Sequence, residues 1–179
     1  MKVLFVGPQG SGKSTQARLL SEYLKVPFIS TGDIFRQIAD QDTPSATQVR
    51  EVLASGKLVD DQSTSKIVQE RLTQADCGNG FILDGYPRTT QQIRFFDPGF
   101  DMVFYLKLND IDAKKRMLGR GRSDDTPELI DERLRVYHQL TDPIIEYYSN
   151  KGLVKEIDAN QNIEGIQTEI RGLLNAQSK

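Results

Sequence analysis

Short apolar runs alternate with helical periodicities along this chain. Val3-Leu4-Phe5-Val6 is the first run, and it stops at Gly7. Pro27-Phe28-Ile29-Ser30, Phe81-Ile82-Leu83-Asp84, Met102-Val103-Phe104-Tyr105-Leu106 and Leu153-Val154-Lys155-Glu156-Ile157 follow. Each has the length of a strand, and most lack the polar alternation of a sheet with one wet face. Nearly continuous apolar strands are buried on both sides, as in parallel sheets. From Thr15 to Leu24 the spacing changes: Ala17, Leu20 and Leu24, joined by Leu19, fall on one helical face. Strand–helix alternation requires right-handed crossovers, which predicts a doubly wound α/β domain with a five-stranded parallel sheet flanked by helices.

Two stretches break the rhythm. Residues 31–70 carry helical patterning without a strand, interrupted at Thr43-Pro44-Ser45 and at Ser55-Gly56. That is long for a simple crossover, so a small helical lobe is expected over 30–59. Residues 119–127, "GRGRSDDTP", are glycine-rich and charged, with no apolar period. Asp125 or Thr126 can cap the next helix, with Pro127 in its first turn. A second small lobe is expected over 119–131. No linker separates independent domains, so 1–179 is expected to be one domain carrying both lobes.

Composition narrows the function classes. A net charge of −2 argues against a dedicated nucleic-acid binder. The single cysteine, Cys77, has no partner within the chain and is expected to be a buried or surface thiol without a redox role. No run reaches the ~18 apolar residues of a membrane span. "MKVLFVG" passes into a loop too soon for a signal peptide, so the expected location is the cytoplasm, without membrane or nucleic-acid partners.

The chemistry starts at "GPQGSGKS", Gly7 to Ser14, which fits G-x-x-x-x-G-K-[ST] between a strand and a helix. Glycines let successive backbone N–H groups close on an anion, and the helix N-terminus adds its positive end. Lys13 is expected on the β- and γ-phosphates of a nucleotide and the Ser14 hydroxyl on Mg²⁺. Asp84 closes a buried run at the carboxyl end of a parallel strand, where open α/β sheets bind ligands, and is the second candidate for Mg²⁺, directly or through water. Arg116 and Arg120 share a helical face, with Arg122 and Arg133 beyond, Arg36 in the first lobe and Arg88 after the Asp84 turn. Joining a triphosphate to a second anion requires balancing several negative charges, and planar guanidinium groups suit that task. His138, the only histidine, is expected to be structural, as are Tyr147-Tyr148 with Ile144-Ile145.

Taken together, these motifs resemble the adenylate kinase family, of the short-lid kind, over nearly the whole chain. "GPQGSGKST" is similar to the family's "GPPGAGKGT"-like loop, "ISTGDIFR" (29–36) to "ISTGDMLR", "GKLVDDQ" (56–62) to "GxLVPDE", and "DGYPRTTQQ" (84–92) to "DGFPRTxxQ". "RMLGRGRSDD" (116–125) resembles the segment flanking the lid. The resemblance implies a P-loop kinase fold with an AMP-binding lobe and a short lid, and the reaction MgATP + AMP ⇌ 2 ADP. It implies that Gly10, Ser11, Gly12, Lys13, Ser14 and Thr15 hold the ATP phosphates, with Arg116, Arg120 and Gln161 also on ATP. It places AMP on Thr31, Arg36, Lys57, Leu58, Val59, Gly85, Tyr86, Pro87, Arg88 and Gln92. Gln92 would read the adenine edge. Arg122 and Arg133 would sit between the substrates, on the transferred group, and Lys13, Arg88, Arg122 and Arg133 would be catalytic. Mg²⁺ is the implied cofactor, with no structural zinc because the four-cysteine set is missing. A monomer is expected.

The sequence departs from the family pattern in places. Ser14 stands where the family often has glycine, Asp60 where it has proline, Phe35 for leucine and Tyr86 for phenylalanine. Asp60 and Tyr86 are expected to loosen or reshape the AMP lobe. Two other readings compete: a UMP/CMP kinase, which shares the loop and the "DG-P-R" turn, and a nucleotide sensor without efficient transfer. Tyr86-Pro87 is a candidate cis bond.

Overall fold

The computed structural model describes residues 1–121 and 125–177. Five parallel strands form its centre: β1 (Lys2–Val6), β2 (Phe28–Ser30), β3 (Phe81–Asp84), β4 (Met102–Lys107) and β5 (Val154–Asp158), in the order β2-β3-β1-β4-β5. The three central strands, β1, β3 and β4, bury both faces. Val3 and Phe5 of β1 enter one core, and Leu4 and Val6 the other. Met102, Phe104 and Leu106 of β4 join the first, and Val103 the second. That two-sided burial is why the strands appear in sequence as unbroken apolar runs.

Helix α1 (Lys13–Leu24) follows β1. Helices α2 (Thr31–Ala39), α3 (Pro44–Ala54) and α4 (Asp61–Leu72) fill the long interval before β3. Helix α5 (Thr90–Phe95) leads to β4, α6 (Asp110–Arg120), α7 (Pro127–Leu140) and α8 (Asp142–Asn150) lead to β5, and α9 (Ile163–Gln177) ends the described chain. Side chains mark most helix starts. Ser30, Thr43, Asp60, Thr89, Asn109 and Thr126 each accept a hydrogen bond from the N–H three residues on, satisfying a donor the helix itself cannot. Thr126, rather than Asp125, takes this role for α7, with Pro127 in the first turn as expected.

Helix α1 differs. It begins at Gly12 in the left-handed region (φ +88°), with no side chain accepting from its first N–H groups. Those donors are left for a ligand. β1 and β3 are neighbours, with Phe5 opposite Asp84. Ala17 and Leu20 of α1 pack in one core, while Ile93, beyond β3, packs against the other. Connections leaving adjacent strands to opposite faces open a crevice at their carboxyl ends, and the site lies there.

The two departures expected to loosen or reshape the AMP lobe each make hydrogen bonds of their own. Asp60 caps α4 through Ser63 N (2.9 Å). The Tyr86 side chain is fully buried. Its hydroxyl lies 2.6 Å from the Phe96 carbonyl, 2.9 Å from the Gln92 carbonyl and 3.1 Å from Ser65 Oγ, tying the end of β3 to α4 and α5. The Tyr86–Pro87 bond is cis. Cys77 is buried. Ile144 and Tyr148 are core residues, with Ile145 and Tyr147 packed beside them. His138 bridges Asp110 of α6 and Asp142 of α8, both at 2.9 Å. These carboxylates hold its imidazole above the ordinary value of 6.5. No helix among the described residues is long and apolar enough to cross a membrane.

Candidate active site

A cleft of about 450 Å³ opens at the carboxyl ends of β1 and β3. The phosphate loop forms one end, with Gly10, Gly12, Lys13, Ser14 and Thr15 on its wall. Gly10 cannot be replaced without moving the backbone: a Cβ there would stand 2.6 Å from the Ala113 carbonyl oxygen, and its φ is +85°. The loop therefore packs against α6 at Gly10. Ser11, expected among the phosphate contacts, is buried and does not line the cleft, and its N–H donates to the Pro8 carbonyl at 3.2 Å.

Lys13 Nζ donates to the carbonyl of Pro8 at 2.8 Å, folding the side chain across its own loop. Burial pulls its ammonium from 10.5 to about 8, against the attraction of Asp84 and with further repulsion from Arg88 and Arg120. A cation held at this cost gains when an anion arrives. Ser14 Oγ donates to Asp84 Oδ2 at 2.6 Å. The hydroxyl lone pairs and the second Asp84 oxygen stay available, which fits a Mg²⁺ ion or its waters. Among the described residues no three His, Cys, Asp or Glu side chains converge to form a metal cage, so such an ion would be shared with substrate phosphates.

The other end of the cleft is built on the Asp84 turn. Gly85 adopts φ +91°, and a Cβ there would meet Thr31 Oγ1 at 2.3 Å. Thr31 Oγ1 donates to the Asp84 carbonyl (3.2 Å), seating α2 against the turn. Three bonds fix Arg88: its N–H donates to Gln92 Oε1 (2.7 Å), its Nε donates to the Gly85 carbonyl (3.0 Å), and its own carbonyl accepts from Thr141 Oγ1 (3.2 Å). Burial lowers the pKa of its guanidinium, Asp84 opposes the shift, and Arg133 and Arg36 reinforce it. The group stays charged at any working pH. Arg36 pairs with Asp33 and, with Lys57, Leu58, Val59 and Gln92, completes this end. Phe35 and Leu53 supply apolar wall.

Arg116, Arg120 and Arg133 line the cleft between the two ends. Asp125 holds two of them: its carboxylate is 1% exposed, 2.8 Å from Arg120 and 3.1 Å from Arg133. One buried acid thus ties the end of α6 to α7 across the interval between them. Sequence reading took Asp125 only as a possible cap. Its spacing, five residues after Arg120 and eight before Arg133, was the available signal. Asp33, Thr141 and Gln9 were also missed.

Arg122 falls outside the described residues. Three further expected site residues lie elsewhere. Tyr86 turns its side chain into the core, away from the cleft, because its hydroxyl is engaged with α4 and α5. Pro87 lines a narrower cavity beside the main cleft, together with Gln9 and Tyr137. Gln161 does not line the cleft, and its Nε2 donates to Glu169 at 2.8 Å.

The family model described as adenylate kinase matches residues 5–153. Adenylate kinase 1 of Nostoc sp. is 41% identical over 97% of this chain and 98% of its own length. The adenylate kinase of Corynebacterium urealyticum is 42% identical over 93% of this chain and 94% of its own length, and that of Oenococcus oeni is 40% identical over 96% of each. With the phosphate loop, the Asp84 turn and the arginines in one cleft, and similarity spanning the chain end to end, the protein belongs to the adenylate kinase family.

Proposed function

We propose that the protein is an adenylate kinase: a cytoplasmic, monomeric enzyme that moves the γ-phosphoryl group of MgATP to AMP, reversibly, giving two ADP. One observation carries this reading: a single cleft joins a phosphate loop to a second anion site around Arg88, with cations along its length and Asp84 the one acid on its described lining. A nucleotidase or sensor needs one phosphate site. Phosphoryl transfer between nucleotides needs two, aligned.

The phosphate loop from Gly10 to Thr15 and the start of α1 hold the donor's phosphates through backbone N–H groups, with Arg116 and Arg120 on the same chain of phosphates. Lys13 leaves the Pro8 carbonyl for the β- and γ-oxygens. Arg36 and Arg88 hold the acceptor's phosphate, with Thr31, Gly85 and the Lys57–Val59 stretch around its nucleoside. Gln92 has its Oε1 committed to Arg88 N–H, so its amide N–H groups are left to donate to a ring nitrogen of the base. Arg133, joined by Arg122, meets the group in flight. Ser14 and Asp84 would hold Mg²⁺, in part through water, and the ion would supply charge neutralisation on the donor phosphates. An acceptor-phosphate oxygen forms the new bond to γ-phosphorus as the β–γ bridging bond breaks and ADP leaves with the electron pair. The protein's contribution is alignment and charge stabilisation. Residues 30–59 and 119–131 act as the acceptor lobe and the short lid, and their closure keeps water from competing. Gln161 meets the donor base through its backbone.

Purified protein with MgATP and AMP, CMP, UMP or GMP tests this. Rapid diphosphate formation with AMP alone is expected. Faster turnover with CMP or UMP would replace it with the pyrimidine reading.

A further inference from the structure

Gln9 belongs to the phosphate loop but has no part in the roles above. It lines the main cleft with Lys13 and Arg88, and also the narrower cavity beside it, again with Lys13 and Arg88. Its Oε1 is buried and makes no hydrogen bond. A buried amide oxygen without a donor costs about 1–3 kcal/mol. Such a deficit in a binding loop indicates a partner that arrives with the substrate or with closure. Arg88, which shares both linings, is a source of donors: among the described residues its guanidinium donates only from Nε, to Gly85.

We propose that Gln9 is a further catalytic residue of the transfer reaction, its Nε2 donating to the transferred phosphoryl group while its Oε1 accepts from the Arg88 guanidinium. This rests on the adenylate kinase reading. A carboxamide suits the position because its two ends are a donor and an acceptor. The phosphoryl group in flight carries oxygens that only accept, and the neighbouring guanidinium only donates. The amide bridges them without adding to the crowded positive charge, and it keeps Arg88 aligned with the reacting group. Gln9 loses and gains no proton in the step.

The test uses Gln9→Ala and the near-isosteric Gln9→Glu, which replaces the donor with an anion. A hydrogen bond made only to the phosphoryl group in flight is lost as kcat, not as KM. Gln9→Ala is expected to lower kcat about tenfold or more, with the KM for ATP and AMP and the melting temperature close to wild type. Gln9→Glu is expected to fall further, on the order of 100-fold. Affinity for MgADP plus aluminium fluoride plus AMP should weaken in step with kcat, while MgATP affinity holds. Wild-type kcat in Gln9→Ala would overturn the proposal, as would an equal loss in ATP affinity or a Gln9→Glu as fast as Gln9→Ala. Absence of transfer by the wild type itself would instead overturn the reading of the enzyme.

Discussion

Lys13→Met should make the protein more stable and nearly inactive. The Lys13 ammonium is enclosed by the loop and faces Arg88 and Arg120, with Asp84 as its compensating charge, and its pKa is about 8 instead of 10.5. At about 1.4 kcal/mol per pH unit, that fall places a penalty of about 3 kcal/mol on folding with the charge present. Methionine removes the charge and keeps the length of the chain. It also loses the bond to the Pro8 carbonyl, worth about 1 kcal/mol. The net gain is about 2 kcal/mol, or roughly 4–8 °C in Tm for a chain of this size. The sign with pH follows from the depressed pKa. Between about 8 and 10.5 the unfolded chain binds a proton that the folded one does not, so wild-type stability from this group rises with pH. The advantage of Lys13→Met is therefore full at pH 7 and shrinks towards pH 10. Thermal melts of both proteins at pH 7 and pH 9.5, with turnover at pH 7, measure this. Turnover should fall roughly 10²- to 10³-fold or more, since a donor aimed at developing charge is lost. A lower Tm for Lys13→Met at pH 7, or an advantage that grows with pH, would refute the electrostatic account of Lys13.

Arg88→Ala should raise the KM for AMP far more than that for ATP, because Arg88 is fixed on the Gly85–Gln92 turn at the acceptor end; equal effects in steady-state kinetics would contradict the assignment of the two ends. Tyr86→Phe should cost about 1–2 kcal/mol by leaving buried carbonyls short of a donor, read as a fall of roughly 3–6 °C in Tm, while the KM for AMP stays near wild type because the side chain never reaches the cleft. His138→Gln tests the clip between Asp110 and Asp142. The imidazole pKa is raised on folding, so its contribution is complete below 6.5 and disappears as pH rises through the folded value. All three groups are about half exposed, so the loss should be about 0.5 kcal/mol at pH 5.5 and vanish by pH 9, seen as converging denaturation midpoints.

Where the chain obeys a local rule, the sequence carried the information. All five strands lie within a residue or two of their apolar runs, because β1, β3 and β4 are apolar on both faces and no alternation blurs them. Gly7 to Ser14, Asp84 and Arg88 converge because each follows the end of β1 or β3, and those ends are neighbours in the sheet. Tyr86 escaped prediction because period and motif do not tell which way a side chain turns from a tight turn; packing against α4 and α5 decides that. Asp60 looked like a loss against proline, yet a helix start rewards either residue, proline through its backbone and aspartate through its cap. Asp125 was hidden for another reason. Its value lies in pairing with two arginines from different helices, which no local pattern reports.

The central claim is direct transfer between two nucleotides held in one cleft. Following the label from ATP carrying ³²P at its γ-position, with Mg²⁺ and AMP present, tests it most directly. The label should appear in the β-phosphate of ADP at the rate ATP disappears, with two ADP formed for each ATP and the protein itself unlabelled. Label released as inorganic phosphate at that rate, or retained on the protein as an intermediate, would contradict it.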